Sequence, residues 1–185
     1  MKALLIVDLQ NDFLPEGTLP APNGDKVVPE INKLMEHFSL IIASKDWHPA
    51  NSVHFKKWPV HCVAGSKGAE FPFSLNRPKI DLVLYKGTND LDDGYSAFEA
   101  TNISLDQHLK MHAVNSLYIC GLTTEYCVKN TVLDALKAGY ETFVVQDATA
   151  GVNAHPGDEK AAWDEMQKAG AKLTTTAAMT GVYDF

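Results

Sequence analysis

Cys127 is the residue whose surroundings first suggest chemistry. It stands in Gly121-Leu-Thr-Thr-Glu-Tyr-Cys127-Val128, after an apolar run from Ala113 to Cys120 that reads as a buried strand. Val128, Val132, Ala135 and Leu136 then recur at helical spacing until Gly139 stops the helix. A thiol in the first turn of a helix sits among unpaired N–H groups and partial positive charge, which favour the thiolate. Such a position lowers a cysteine from its ordinary pKa of ~8.5, more so with a lysine beside it. Alone, Cys127 reads better as a buried small apolar residue. Its company argues otherwise. Asp8 closes the apolar run Ala3 to Val7, and Lys86 closes the run Asp81 to Tyr85. A carboxylate, an ammonium and a thiol gathered in one crevice supply base, electrostatic organiser and nucleophile for covalent acyl transfer.

A second constellation lies in Asp46-Trp47-His48, His54 and Trp58-Pro59-Val60-His61. One carboxylate and three imidazoles fall within sixteen residues, and those three are among only seven histidines in the chain. This nitrogen-rich set suits one borderline divalent ion, with zinc first and iron or manganese as alternatives, and has too few oxygens for calcium. His37, His108, His112 and His155 have no such company and read as ordinary polar residues. Asp90, Asp92 and Asp93 lack the further ligands of a calcium loop and read as a solvated stretch.

The elements that must position these groups alternate. Strands are expected at Lys2 to Asp8, Phe38 to Ser44, Asp81 to Tyr85, Ala113 to Cys120, Thr142 to Gln146 and Lys172 to Thr176. Helices are expected from about Val27 to Met35, Leu105 to His112, Val128 to Gly139 and Asp158 to Ala169. Residues Asn11 to Asp25 hold three prolines and two glycines and form a loop. The long irregular stretch from Lys45 to Lys79 signals function. Alternation of this kind implies a parallel sheet covered by helices on both faces, with the site beyond the carboxyl ends of the strands. Asp8, Lys86 and Cys127 each fall at such an end.

Composition narrows the function. At 185 residues and 45% hydrophobic content the chain is expected to be one domain, residues 1–185, with a core that needs no staples. A net charge of −7 speaks against nucleic acid or an anionic membrane as partner. Three cysteines, an odd number, and an opening strand in place of a signal peptide lead us to expect a soluble cytoplasmic protein. The last six residues, Thr180 to Phe185, carry no interpretable signal.

Taken together, Ile-Val-Asp8-Leu-Gln-Asn-Asp12-Phe13, Asp46-Trp-His48-Pro with His54, Trp58-Pro-Val-His61-Cys62, Tyr85-Lys86-Gly87, Tyr95-Ser-Ala-Phe98 and Gly121-Leu-Thr-Thr-Glu-Tyr-Cys127-Val128 resemble the nicotinamidase/pyrazinamidase branch of the isochorismatase-like cysteine hydrolases. The motifs run in order from the first strand to about Asp147. The resemblance implies a three-layer α/β/α fold around a six-stranded, mostly parallel sheet. It implies hydrolysis of the amide bond of nicotinamide, and of pyrazinamide, in pyridine nucleotide salvage, with homo-oligomerisation left open. The implied residues are a triad of Asp8, Lys86 and Cys127, a metal set of Asp46, His48, His54 and His61, and an oxyanion hole at the Leu122–Thr123 cis peptide. Backbone N–H groups of Thr123 and Cys127 would be its donors. Phe13, Trp58 and Tyr95 are the ring-stacking candidates, with Leu122 as a further substrate contact. Rival readings are another amide or ureido hydrolase of the superfamily, which should lack the four-residue metal set, and a nucleotide-binding doubly wound module. The latter needs a glycine-rich loop after the first strand, where Asp8-Leu-Gln-Asn-Asp12 has none.

Overall fold

The computed structural model describes residues 1–181, so that of the final six residues 182–185 lie outside it. Six strands form one sheet: β1 (Lys2–Val7), β2 (Ile41–Asp46), β3 (Leu82–Lys86), β4 (Ser116–Leu122), β5 (Glu141–Ala150) and β6 (Lys172–Thr174). Their order is β3-β2-β1-β4-β5-β6, and every pairing is parallel. The chain builds outward from β1 to one edge, then returns to β4 and builds toward the other. The carboxyl ends of β1 and β4 are therefore the switch point where open α/β sheets form their crevice.

Strand β1 is apolar throughout because both its faces are covered. Leu4 and Ile6 pack beneath α1 (Val27–Met35), whose Ile31, Leu34 and Met35 are fully or almost fully buried. Ala3, Leu5 and Val7 face the opposite layer, made by α2 (Leu105–Met111), α3 (Lys129–Lys137) and α4 (Asp158–Ala169). The expected three-layer architecture is present. No helix among the described residues is long and apolar enough to cross a membrane.

Boundaries differ from expectation where polar residues continue a strand. Lys45 and Asp46 belong to β2 and are almost fully buried, Lys45 paired with Glu70 and Asp46 with Lys86. Tertiary partners let a charged pair stay in a strand that its polarity seems to end. Strand β5 runs on to Ala150, four residues past the expected end. Gln146 and Asp147 point outward there, opposite a register shift in β4, and the Asp147 carboxylate accepts the Thr176 N–H. That bond anchors α5 (Thr176–Thr180), a short helix that begins at the expected end of the last strand and that sequence reading did not assign. Ala113 has a left-handed φ of 50°, and β4 begins only at Ser116.

Gly121, placed just past the expected strand Ala113 to Cys120, lies inside β4 with φ 114°. A Cβ there would sit 2.1 Å from the Val7 carbonyl oxygen. Only glycine lets β4 lie this close to β1, and this closeness brings the two central strand ends together. Gly121→Ala is expected to lower folding stability by on the order of 3 kcal/mol, read as a shifted urea midpoint. A midpoint equal to the parent's would show that the close approach has no energetic importance.

Candidate active site

Register alone juxtaposes Asp46 and Lys86, the last residues of β2 and β3. The Lys86 ammonium is fully buried and lies 2.5 Å from Asp46 Oδ1, 2.6 Å from the Gly94 carbonyl oxygen, 2.7 Å from Asp8 Oδ2 and 3.4 Å from Cys127 Sγ. Asp8 has φ 46°, a left-handed turn that ends β1. Its other oxygen accepts the Ser44 hydroxyl at 2.7 Å. Asp8, Asp46 and Cys127 present oxygen and sulfur atoms within 4.8 Å of one another. The three residues expected to converge from distant strand ends do so.

Burial raises the Asp8 pKa to about 6, against the lowering pull of Lys86 and with a further upward push from Asp46. Burial also acts to raise Asp46, but Lys86 and His48 outweigh it and hold this carboxyl well below the usual range. For Lys86, burial opposes the charge, yet Asp46 and Asp8 hold the ammonium well above its ordinary pKa. Cys127 departs from expectation. Burial pushes its thiol well above the ordinary range, and Asp8 and Asp46 push the same way, with Lys86 alone among the main influences opposing. The helix-terminus argument fails because it is local and desolvation is not. The turn is also wider than expected, since Thr124–Val128 is one turn of π-helix before α3 begins.

The imidazoles of His48, His54 and His61 bring ring nitrogens within 4.8 Å of one another, all buried. His48 Nδ1 lies 3.0 Å from the Gly87 carbonyl oxygen and His61 Nδ1 lies 2.6 Å from that of Pro59. A carbonyl can only accept, so each Nδ1 carries a proton and each Nε2 is turned toward the cluster. His48 Nε2 is buried with no hydrogen-bond partner. Burial, then the field of His48, lowers His54 to about 4, and burial lowers His61, so both imidazoles are neutral at physiological pH. Asp46 Oδ2 lies 3.6 Å from His48 Nε2 and 3.9 Å from His61 Nε2. An orphaned ring nitrogen beside two neutral imidazoles and an anionic carboxylate fits the donor set of a borderline divalent ion.

One cavity is lined by Cys127 of the first group, by Asp46, His54 and His61 of the second, and by Phe13 and Trp58 among others. This coincidence of a thiol, a metal-type donor set and aromatic walls is accompanied by a match of residues 2–178 to the isochorismatase domain family. The chain belongs to the isochorismatase family. It is 42% identical to the nicotinamidase of Escherichia coli over 203 aligned residues, covering 95% of each chain. The pyrazinamidase of Pyrococcus horikoshii, solved in complex with zinc, superposes with a TM-score of 0.83 at 40% identity, over 94% of this chain and 98% of that one. PnC1 of L. infantum, solved in complex with nicotinate, does so with 0.90 at 34% identity, over 96% and 94%.

Among the expected substrate contacts, Phe13, Trp58 and Tyr95 line the cavity of this isochorismatase-family chain. Leu122 does not, because its side chain is fully buried in the core against the α1 layer, and Thr123, joined to it by a cis peptide, lines the wall instead. Sequence reasoning missed Leu19, Gly94, Tyr126 and Val152, which also line it. Tyr126 immediately precedes Cys127 and meets Trp58 edge-on, with ring centroids 4.8 Å apart. Val152 is held by Glu125, a buried carboxylate that accepts the N–H groups of Val152 and Asn153. Gln10 was also missed, although it stands in the quoted first motif. Its amide brackets Asp46, donating to the Asp46 carbonyl oxygen and accepting the Asp46 N–H, each at 2.8 Å.

Asp90 and Asp92 are exposed, as expected of a solvated stretch, yet they are also engaged. Asp90 Oδ1 accepts the Val53 N–H at 2.7 Å, and Asp92 meets Lys57, Tyr95 and His54. The reason is tertiary, since residues 87–95 fold back onto the histidine-bearing stretch.

Lys86→Met would leave two buried carboxylates facing each other without a cation. A loss of about 3–5 kcal/mol in folding stability is expected at neutral pH. The loss should shrink as the pH falls, because the stranded carboxylates then take up protons and shed their charge. Urea unfolding at pH 7.5 and pH 5 checks this, and an equal loss at both contradicts the charge argument.

Proposed function

We propose that this chain is a nicotinamidase, a single catalytic domain that hydrolyses nicotinamide to nicotinic acid and ammonia through a thioester on Cys127, and that also accepts pyrazinamide. The observation that carries the reading is one aromatic-walled cavity lined at once by Cys127, whose neighbours are Lys86 and Asp8, and by Asp46, His54 and His61 of the imidazole group. Nicotinamidase and pyrazinamidase relatives that cover nearly the whole chain support it. The imidazole set favours it over a ureido hydrolase of the same superfamily. Three free, buried cysteines suit a reducing, cytoplasmic setting.

With its pKa near about 6, Asp8 is ionised at neutral pH yet basic enough to accept the Cys127 thiol proton. Lys86 stays an ammonium and stabilises the thiolate as it forms. The thiolate attacks the carboxamide carbon, and the carbonyl oxygen becomes an oxyanion held by the N–H groups of Thr123 and Cys127. One such donor is typically worth ~3 kcal/mol in the transition state. Collapse breaks the C–N bond while Asp8 returns its proton to the departing ammonia. A water then gives a proton to Asp8 and attacks the thioester carbon, the C–S bond breaks, and nicotinic acid leaves. A divalent ion held by Asp46, His48, His54 and His61, zinc by preference as in the Pyrococcus relative, supplies a Lewis acid suited to the pyridine nitrogen or to water. Phe13, Trp58, Tyr95 and Tyr126 confine the ring.

Cys127→Ala is expected to cut ammonia release from nicotinamide by at least about 10⁴-fold while the circular dichroism spectrum is unchanged. Turnover retained in that variant would refute the nucleophile. Because Asp8 must be ionised to act, kcat/KM should fall about tenfold per pH unit below an acid limb near about 6. A limb in the ordinary carboxylate range of ~4 would remove Asp8 from the base's role.

A further inference from the structure

Two of the three clustered histidines have Nδ1 beside a backbone carbonyl oxygen, that of Gly87 for His48 and that of Pro59 for His61. The third lacks one. His54 Nδ1 is buried without a well-formed hydrogen bond, and an oxygen of Asp92 lies 3.3 Å from it. We propose that Asp92 is the positioning residue for His54. Its carboxylate accepts the Nδ1–H, fixes the tautomer and leaves Nε2 for the ion. The proposal rests on the metal set assigned above.

Asp92 has two further partners, of which only Tyr95 also belongs to the cavity wall. Lys57 donates to its Oδ2 from the solvent side, and the Tyr95 hydroxyl donates to its Oδ1 at 3.1 Å. Trp58 Nε1–H in turn donates to the Tyr95 hydroxyl oxygen at 3.1 Å. The same loop is pinned at Asp90, which accepts the Val53 N–H at the start of the 3₁₀ turn carrying His54, and at Gly94, whose carbonyl receives the Lys86 ammonium. One carboxylate thus links a candidate metal ligand to two aromatic walls of the cavity, on a loop clamped at both ends. Histidines that bind a metal characteristically donate their other N–H to such a partner, and its loss typically weakens metal binding 10- to 100-fold.

The test compares Asp92→Ala and Lys57→Ala with the parent in two ways. Zinc affinity of the metal-stripped proteins is measured by competition with a chromophoric chelator. The His54 tautomer in the metal-free proteins is read by ¹⁵N-edited NMR. Asp92→Ala is expected to bind zinc about 10- to 100-fold more weakly and to lose the Nδ1–H preference of His54. Lys57→Ala should match the parent in both. Affinity within about threefold of the parent, or an Nδ1–H tautomer that persists without Asp92, overturns the proposal, as does an equal loss in Lys57→Ala. If metal-free Asp92→Ala melts early, Asp92→Asn decides. It keeps an acceptor oxygen in the same place, so recovery of the tautomer supports the proposal and continued loss overturns it. A parent protein that binds no zinc would refute the metal reading, while the tautomer measurement would still judge Asp92.

Discussion

One fully buried ammonium governs the carboxyl edge of the sheet. Lys86 could not keep its charge in this interior alone, because desolvation strongly penalises an isolated buried lysine. Asp46 and Asp8 flank it at 2.5 and 2.7 Å, and each carboxylate depends on the same ammonium to remain buried as an anion. The pairing also differentiates the two acids. Asp46, held low by Lys86 and His48, is a permanent anion facing the imidazoles, whereas Asp8, raised by burial, keeps a proton affinity that base chemistry needs. Two anions and one cation leave the cluster net negative beside three buried imidazoles, which is the field a divalent cation complements.

The sheet makes this cluster possible by topology. Asp8 and the Cys127 turn leave the two strands at the reversal of strand order, and the glycine at 121 lets those strands lie close. Asp46 and Lys86 leave the next two strands in register. The loops then work as supports. Gln10 brackets the end of β2, Glu125 fixes the wall beside the nucleophile, and the 87–95 loop fastens the lysine at one end and the histidine stretch at the other. Each device spends backbone hydrogen-bonding capacity at a strand end, where the ladder no longer uses it.

Much of this was legible in the sequence for a specific reason. In a parallel α/β sheet all carboxyl ends share one rim, so Asp8, Lys86 and Cys127 could be assigned to one place from strand boundaries alone. The histidines were legible by donor type. What stayed hidden depended on distance and burial. The direction of the Cys127 shift could not be read from a helix start, because its desolvation comes from elements far away in sequence. Asp92 looked like solvated charge because its partners are Lys57, Tyr95 and a histidine 38 positions earlier, read from the numbering of His54 and Asp92. Leu122 looked like a pocket residue because its peptide is at the site, although its side chain turns into the core. Asp147 looked like a strand end because its hydrogen bond to the first residue of α5 is a contact across 29 positions.

The most direct test of the account is the charge state of Lys86 itself, followed through a ¹⁵Nζ NMR titration of the protein. Flanked by two carboxylates, the ammonium should persist as the pH rises through and beyond the ordinary lysine range of ~10.4. A Lys86 side chain that loses its proton near neutrality, as an unaccompanied buried lysine does, would mean that the ion cluster at the centre of this site does not exist as described.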